Sequence, residues 1–145
     1  MGSPPVSPQQ GRRAGPPFLL DTHIWFWYLT GSPRLPDGLR NAIDAATGSL
    51  WLSPISVWEL GVLEERGRVR LKPDFRTWVQ HAFLRLPLEE APVNREVALA
   101  SREIELAHRD PADRFLAATA RVFGLTLLTV DERLTRSRGV RTHSG

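Results

Sequence analysis

Residues 18–31, FLLDTHIWFWYLTG, decide the fold of this chain. The stretch begins with an unbroken apolar run, Phe18–Leu20, which ends at Asp21. An apolar run this short, with no alternation of polar residues, is typical of a strand whose two faces are both buried. Bulky residues follow from 22 to 29, where we predict a helix, and Gly31 breaks the pattern. The stretch thus predicts a buried strand, then an acid, then a helix.

A second stretch, residues 125–131, LTLLTVD, repeats the arrangement of an apolar run followed by an acid. Its Thr and Val residues favour a strand, which leads directly into Asp131. In an open α/β sheet, functional groups collect beyond the carboxyl ends of the strands. Asp21 and Asp131 are therefore expected at the same edge of one sheet.

Two further acids lie on helices whose starting points the sequence marks. Ser53-Pro54 and Asp110-Pro111 each place a favoured N-cap residue before a proline, which suits the first position of a helix. Glu59 lies on the first of these helices and has apolar neighbours one turn away, so we expect it to face the core side. An ionised carboxylate there is costly unless it is paired or binds a metal. Asp113 lies in the first turn of the second helix.

Strands and helices alternate along the chain, which predicts an α/β domain with a mostly parallel sheet. We place this domain at residues 18–136, preceded by a disordered Pro/Gly-rich extension at 1–17 and followed by a flexible basic tail at 137–145. Further strands are predicted at 50–52 and 83–88, and helices at 35–46, 54–66, 75–83, 93–106 and 111–122.

Composition and charge limit the classes of function. The 145 residues suit one domain, and the absence of Cys excludes a disulfide framework and thiolate metal sites. Of the 19 basic and 16 acidic residues, six basic and one acidic lie at 1–17 and 132–145, which leaves a net charge of −2 between them. The positive charge is therefore a property of the two ends. With no secretory signal and no apolar run that spans a bilayer, we expect a cytoplasmic protein without a membrane partner.

Most of the acids also have a purely structural explanation, which the sequence leaves open. Asp21, Asp110 and Asp131 stand where a carboxylate caps a following helix, and Asp113 stands where it stabilises the helix dipole. Glu59 has the weakest such explanation, since no Lys or Arg lies three or four residues from it. If the acids instead converge, they cannot all remain ionised without a cation. An all-oxygen ligand set suits Mg²⁺ or Mn²⁺, and such a site favours phosphodiester hydrolysis.

At these residues the sequence resembles the PIN-domain ribonucleases, and most closely the VapC toxins of toxin–antitoxin pairs. The resemblance covers residues 18–135 and rests on four motifs that occur in the family's order. The motifs are LLDTHIW at 19–25, SPISVWEL at 53–60, HRDPADRFLAATA at 108–120 and LLTVD at 127–131. Each motif alone is weak evidence, whereas the four together are specific.

The resemblance implies a PIN-like three-layer α/β/α sandwich with a short central parallel sheet. It also implies a Mg²⁺-dependent endoribonuclease, the toxin of a type II toxin–antitoxin system, in which metal-activated water attacks the RNA phosphate and Mn²⁺ can substitute. By matching positions, the metal-binding and catalytic acids are Asp21, Glu59, Asp113 and Asp131.

The resemblance extends to secondary residues and to partners. Thr22 and Thr129 match hydroxyl residues that orient a carboxylate or a water. Asp110 matches a helix cap and secondary acid, and Arg114 matches a frequent Arg for which a surface ion pair is the alternative explanation. The expected partners are an RNA substrate, a cognate antitoxin that covers the active site, and a second copy in a homodimer. Several aromatic residues could serve either core packing or an interface. They are Trp25, Trp27, Tyr28 and Trp58.

Two other hypotheses remain at this point. One is a metal-dependent nuclease or phosphatase of the same fold that is not a toxin. The other is a non-catalytic α/β interaction domain, whose acids are only helix caps and solvated charges. The distance between the acids in the folded chain separates the catalytic hypotheses from this last one.

Overall fold

A computed structural model describes residues 15–106 and 110–145. Most of the extension predicted at 1–17 lies outside these residues, as do His108 and Arg109 of the third motif. The described strands form one sheet in the order β3-β2-β1-β4-β5, and every neighbouring pair is parallel. The strands are β1 (Phe18–Leu20), β2 (Leu50–Leu52), β3 (Glu89–Glu90), β4 (Thr126–Leu128) and β5 (Thr142–His143). The helices are α1 (Thr22–Thr30), α2 (Asp37–Ala45), α3 (Pro54–Glu65), α4 (Phe75–Arg85), α5 (Arg95–Ser101), α6 (Pro111–Phe123) and α7 (Glu132–Thr135).

The two central strands, β1 and β4, end at the same level of the sheet. Leu20 lies opposite Leu128 in the parallel register, and the backbone N–H of Asp21 donates to the carbonyl of Leu128 over 3.0 Å. Parallel strands present their carboxyl ends at one edge. The residues that follow both strands, including Asp131, therefore emerge together, as the sequence predicted.

Alternate residues of the central strands enter two separate cores. Leu20 and Leu128 pack in a core with residues of α1, α2 and α3, whereas Leu19 and Leu127 pack in a second core with residues of α5 and α6. Because successive side chains of a strand point to opposite faces, helices cover both sides of the sheet. The three-layer α/β/α sandwich is thus confirmed.

The helix starts that the sequence marked are confirmed as well. The Ser53 hydroxyl accepts from the N–H of Ile55 at the start of α3, and the Asp110 carboxylate accepts from the N–H of Ala112 at the start of α6. Each cap satisfies a backbone donor that the first turn of a helix leaves without an intrahelical partner. The helices α1 and α6 end at Gly31 and Gly124, whose φ angles of 64° and 65° are left-handed.

Two predicted elements are wrong in position. The strand predicted at 83–88 is the last turn of α4 and the segment after it, and the strand itself, β3, follows at two exposed acids. Phe83 packs against the core from α4 and Leu86 is buried just after the helix, whereas Leu84 is exposed. The helix predicted at 93–106 is shorter, because Asn94 caps α5 by accepting from the N–H of Val97 and the helix ends at Ser101.

The flexible tail expected at 137–145 contains a strand of the sheet. In β5, the carbonyl of His143 accepts from the N–H of Thr129. The carbonyl of Arg141, the residue before β5, accepts from the N–H of Leu127. The Ser137 hydroxyl donates to the carbonyl of Glu105 over 2.9 Å. Backbone hydrogen bonds do not require apolar side chains, so a basic, polar sequence can join the sheet. Among the described residues, no helix is long and apolar enough to cross a membrane.

Candidate active site

One pocket lies at the carboxyl edge of the sheet and collects acids from distant parts of the sequence. Its volume is about 350 Å³. All four predicted metal-binding acids line it, together with the secondary acid Asp110. The complete lining is Asp21, His23, Trp27, Arg34, Glu59, Asp110, Asp113, Val130, Asp131 and Arg133. The fold thus brings together carboxylates that lie up to 110 residues apart in the chain.

Asp21 lies at the centre of this site, between the ends of β1 and β4. One carboxylate oxygen, Oδ1, accepts from the N–H of Thr22 over 2.7 Å, and the other, Oδ2, accepts from the Thr129 hydroxyl over 2.6 Å. The pKa of Asp21 is raised to about 6, chiefly by burial; the hydrogen bond from Thr129 opposes this rise, and the negative charge of Asp113 adds to it. Asp21 is thus a fixed carboxylate at which additional negative charge is unfavourable.

Glu59 extends from α3 toward the same pocket and is half-buried. The Thr22 hydroxyl donates to its Oε1 over 2.6 Å and lies 3.0 Å from the Ser56 hydroxyl. Burial raises the pKa of Glu59, the hydrogen bond from Thr22 lowers it, and the charges of Asp21 and Asp110 raise it again. Glu59 therefore points inward, as predicted, and Thr22 of the neighbouring helix α1 holds its carboxylate at the pocket.

The start of α6 supplies two acids. Asp110 caps the helix, since its Oδ1 accepts from the N–H groups of Ala112 and Asp113 at 2.9 and 3.4 Å. Asp113 follows in the first turn and is buried, with 6% of its surface exposed. The capping role that the sequence assigned to Asp110 is present, and the same side chain also lines the pocket.

Asp131 is held differently from the other acids. Its Oδ1 accepts from the backbone N–H of Arg133 over 2.9 Å, which caps α7. The guanidinium of Arg133 also contacts both carboxylate oxygens at 3.3 Å, which raises the pKa of that guanidinium. The backbone N–H of Asp131 donates to the Thr129 hydroxyl over 3.1 Å. Thr129 thereby links Asp131 to Asp21.

The chemistry of these donors fits a hard divalent cation, because all of them are carboxylate oxygens and none is a thiolate. As their side chains stand, no three His, Asp or Glu residues of the described chain are close enough together to hold one ion. The acids thus share one pocket, although their side chains are not close enough to form a ready ion site. Backbone positions fix which acids face the pocket, whereas rotation about side-chain bonds brings a carboxylate to an ion. In the present arrangement Asp131 is held by Arg133, and Glu59 is held by Thr22.

Arg114 is placed away from this pocket. Its Nη1 donates to the backbone carbonyls of Ser101 and Ile104 at 3.0 and 2.8 Å, and it lines a separate cavity beside α5. The surface ion pair considered as its alternative is not the contact described here, because both acceptors are backbone carbonyls. In this structure Arg114 joins α6 to the end of α5.

Sequence reasoning missed several residues at the pocket, among them Ser56, Arg34 and Arg133. Ser56 contacts Thr22, and its position three residues before Glu59, on the same face of α3, was a usable signal. Arg34 and Arg133 line the pocket as its cations. Arg34 lies in the turn between α1 and α2, where no pattern marked it.

The comparisons with known proteins agree with this fold. Residues 18–139 match the PIN domain family. The chain is 32% identical over 126 residues to ribonuclease VapC22 of Mycobacterium tuberculosis, covering 85% of this chain and 93% of that protein.

Solved structures show the same fold at low sequence identity. VapBC2 of Rickettsia felis, bound to a DNA fragment from its promoter, superposes with a TM-score of 0.65 at 17% identity, over 87% of this chain and 96% of that chain. DNA-bound VapBC of Salmonella typhimurium superposes with a TM-score of 0.61 at 21% identity, over 87% and 96%.

Proposed function

Because this chain belongs to the PIN domain family, we propose that it is a metal-dependent endoribonuclease, the toxin of a type II toxin–antitoxin system, and that it cleaves RNA at the pocket described above. The observation that carries this proposal is the convergence of Asp21, Glu59, Asp113 and Asp131 on one pocket at the carboxyl edge of the sheet. The 32% identity to a named ribonuclease supports RNA as the substrate.

The four acids are proposed as the catalytic residues and as the ligands of Mg²⁺, with Mn²⁺ as a substitute. The raised pKa of Asp21, caused by burial and by the charge of Asp113, supports a site that is short of positive charge. A bound divalent cation lowers the pKa of water and neutralises the charge that develops on a phosphate.

The residues around the acids have positioning and binding roles in this proposal. Thr129 and Thr22 fix the orientations of Asp21 and Glu59 through hydrogen bonds of 2.6 Å each. Arg34 and Arg133 line the same pocket and offer guanidinium groups to the phosphates of a bound strand. The scissile phosphate thereby lies between carboxylates that bind the cation and arginine side chains that bind the RNA phosphates.

The similar solved structures support the partners that we propose. The similar solved structures are described as toxin–antitoxin complexes, some of them with DNA. We infer that a cognate antitoxin covers this pocket, that the toxin forms a homodimer, and that it acts in the cytoplasm on RNA.

The hypothesis of a non-catalytic interaction domain has one observation in its favour. Asp21, Asp110 and Asp131 each accept hydrogen bonds that cap a helix, as that hypothesis requires. Capping does not explain Glu59, a half-buried carboxylate in the middle of α3 that is held by a hydroxyl from another helix. The catalytic proposal accounts for both kinds of contact.

RNA cleavage in the presence of Mg²⁺ tests the proposal directly. The wild type should cleave, chelation of the metal should stop cleavage, and Asp21→Asn and Glu59→Gln should each lower kcat by about 100-fold or more, as expected for loss of a group that acts in the transition state. Asp37→Asn, an exposed acid outside the pocket, is the matched control and should cleave like the wild type. Equal cleavage by wild type and Asp21→Asn would show that the assigned site is wrong.

A further inference from the structure

A second groove adjoins the acidic pocket, between α3 and the start of α6. Its volume is about 300 Å³. It is lined by Trp58, Glu59, Val62, Leu63, Arg66, Asp110, Pro111 and Ala112. We propose that this groove holds one unpaired base of the RNA next to the scissile phosphate, with Trp58 as the stacking surface and Arg66 as a phosphate contact. The inference rests on the proposed ribonuclease function and names a binding determinant for it.

The groove is continuous with the acidic pocket. Glu59 and Asp110 line both of them. A single strand whose phosphate lies among the acids can therefore continue into the groove.

The Trp58 side chain is largely exposed, although large aromatic side chains are usually buried. It keeps 61% of its surface exposed, whereas Trp25, on α1, is fully buried against Trp78 and Phe83. Trp58 directly precedes Glu59 on α3, and both side chains line the groove. Base stacking on an exposed aromatic side chain is a general means of binding single-stranded nucleic acid, and it tolerates any base sequence.

Arg66 places one positive charge on the groove at the end of α3. Trp58, Val62 and Arg66 are spaced four residues apart and so follow one side of α3. After the helix, the exposed residues Arg68 and Arg70 continue the positive charge along the surface. Positive charge at this end and carboxylates at the other suit a phosphate backbone whose reacting phosphate is held by a cation.

The size of the groove favours a base over a helix of a partner protein. About 300 Å³ lies at the lower end of the volumes that bind small molecules, roughly 300–1,000 Å³. An amphipathic helix instead anchors residues over two turns or more, whereas the apolar lining beside Trp58 is short and consists of Val62, Leu63, Pro111 and Ala112. We therefore assign the groove to RNA, and an antitoxin segment becomes an outcome of the test.

The test combines a protein variant with abasic RNA. A random pool of short single-stranded RNA in Mg²⁺ identifies an oligonucleotide that the wild type cleaves, and that oligonucleotide is then made with one abasic nucleotide at each position around the cleavage site. On the intact RNA, Trp58→Ala should raise KM by about 10-fold with little change in kcat. Trp58→Phe, which keeps a stacking ring, should recover most of the loss. Leu84→Ala is the matched control, because Leu84 is 79% exposed and lies outside both pockets.

The decisive result is the dependence on position. If Trp58 stacks on one base, the penalty of Trp58→Ala disappears when that base, and only that base, is missing. A penalty that persists on every abasic RNA, or a Trp58→Ala variant that cleaves like the wild type, overturns the assignment. Unchanged cleavage with weakened binding of the antitoxin overturns it in favour of a protein partner. A wild type that cleaves no RNA at all refutes the proposed function, and the assignment of the groove falls with it.

Discussion

The Thr129 hydroxyl donates a 2.6 Å hydrogen bond to Asp21 Oδ2 and thereby joins the ends of the two central strands at the acidic pocket. The same hydroxyl accepts from the backbone N–H of Asp131 over 3.1 Å. One side chain therefore fixes the position of two acids that the sequence separates by 110 residues. The geometry of the site depends on the parallel register of β1 and β4, which places Asp21 and Thr129 side by side.

The raised pKa of Asp21 predicts how the stability of the metal-free protein depends on pH. Its pKa is 3.8 in the unfolded chain and about 6 in the fold, so the folded state binds more protons between these values. The contribution of Asp21 to the free energy of unfolding is fully present below pH 3.8 and is lost as the pH rises through 6. The loss is about 3 kcal/mol for this buried group.

Urea unfolding with a chelator present measures this dependence. Asp21→Asn should abolish the part of the pH dependence that lies between pH 4 and pH 7 and should be more stable than the wild type at neutral pH, because it carries no charge there. Asp37→Asn serves as the control, since Asp37 is exposed at the start of α2. A wild type that becomes more stable across this range would contradict the raised pKa.

Thr129→Val keeps the shape of the side chain and removes the hydrogen bond to Asp21. Because that bond lowers the pKa of Asp21, its loss should raise this pKa above 6 and move the acidic limb of the pH–rate profile to higher pH. Thr129→Ser should restore the wild-type profile, and Thr47→Val, at an exposed site after α2, should leave it unchanged. An identical profile for Thr129→Val would show that Thr129 does not orient the carboxylate.

Much of this fold could be predicted from local patterns, and the exceptions have a common physical cause. The apolar run Phe18–Leu20 predicts a buried strand that ends at Asp21. The prolines after Ser53 and Asp110 predict two helix starts. The edge strands β3 and β5 escaped prediction because two residues form each of them, and backbone hydrogen bonds rather than apolar side chains place them in the sheet.

The candidate site was predictable to the same extent. The positions of Asp21, Asp113 and Asp131 follow from strand ends and a helix start, and the orientation of Glu59 follows from its apolar neighbours on α3, all of which are local features of the sequence. The contacts that hold them, such as Arg133 with Asp131 or Ser56 with Thr22, depend on where side chains turn after folding. Arg114 matched a family position, yet its partners are backbone carbonyls that no sequence motif displays.

Arg114→Ala separates a structural role from a catalytic one. Loss of both hydrogen bonds leaves the carbonyls of Ser101 and Ile104 without this donor. The free energy of unfolding should fall by about 1–3 kcal/mol, while kcat per folded molecule stays the same. Urea unfolding and active-site-normalised cleavage measure the two effects separately. Arg121→Ala, which removes an exposed ion pair with Glu103, should alter neither. A fall in kcat without a loss of stability would place Arg114 in catalysis instead.

The ion pair between Arg133 and Asp131 predicts competition with the cation. The guanidinium contacts both carboxylate oxygens at 3.3 Å, so under the proposed function we expect it to compete with a metal ion for Asp131. Arg133→Ala should therefore tighten Mn²⁺ binding by about 2- to 5-fold, a small factor because exposed ion pairs are weak. Titration calorimetry at low salt measures the Kd, and added salt should shrink the difference between variant and wild type, since salt screens the same pair.

Arg136→Ala provides the control for this effect. Arg136 pairs with Glu132 on the same short helix, but both side chains are 79% exposed and neither lines the pocket. Removing Arg136 takes away the same charge from α7 without freeing Asp131, so the Kd for Mn²⁺ should change less than with Arg133→Ala. If both variants tighten binding equally, the cause is the net charge of α7 and not the contact with Asp131. If Arg133→Ala weakens binding, the guanidinium holds Asp131 in place for the ion instead of competing with it.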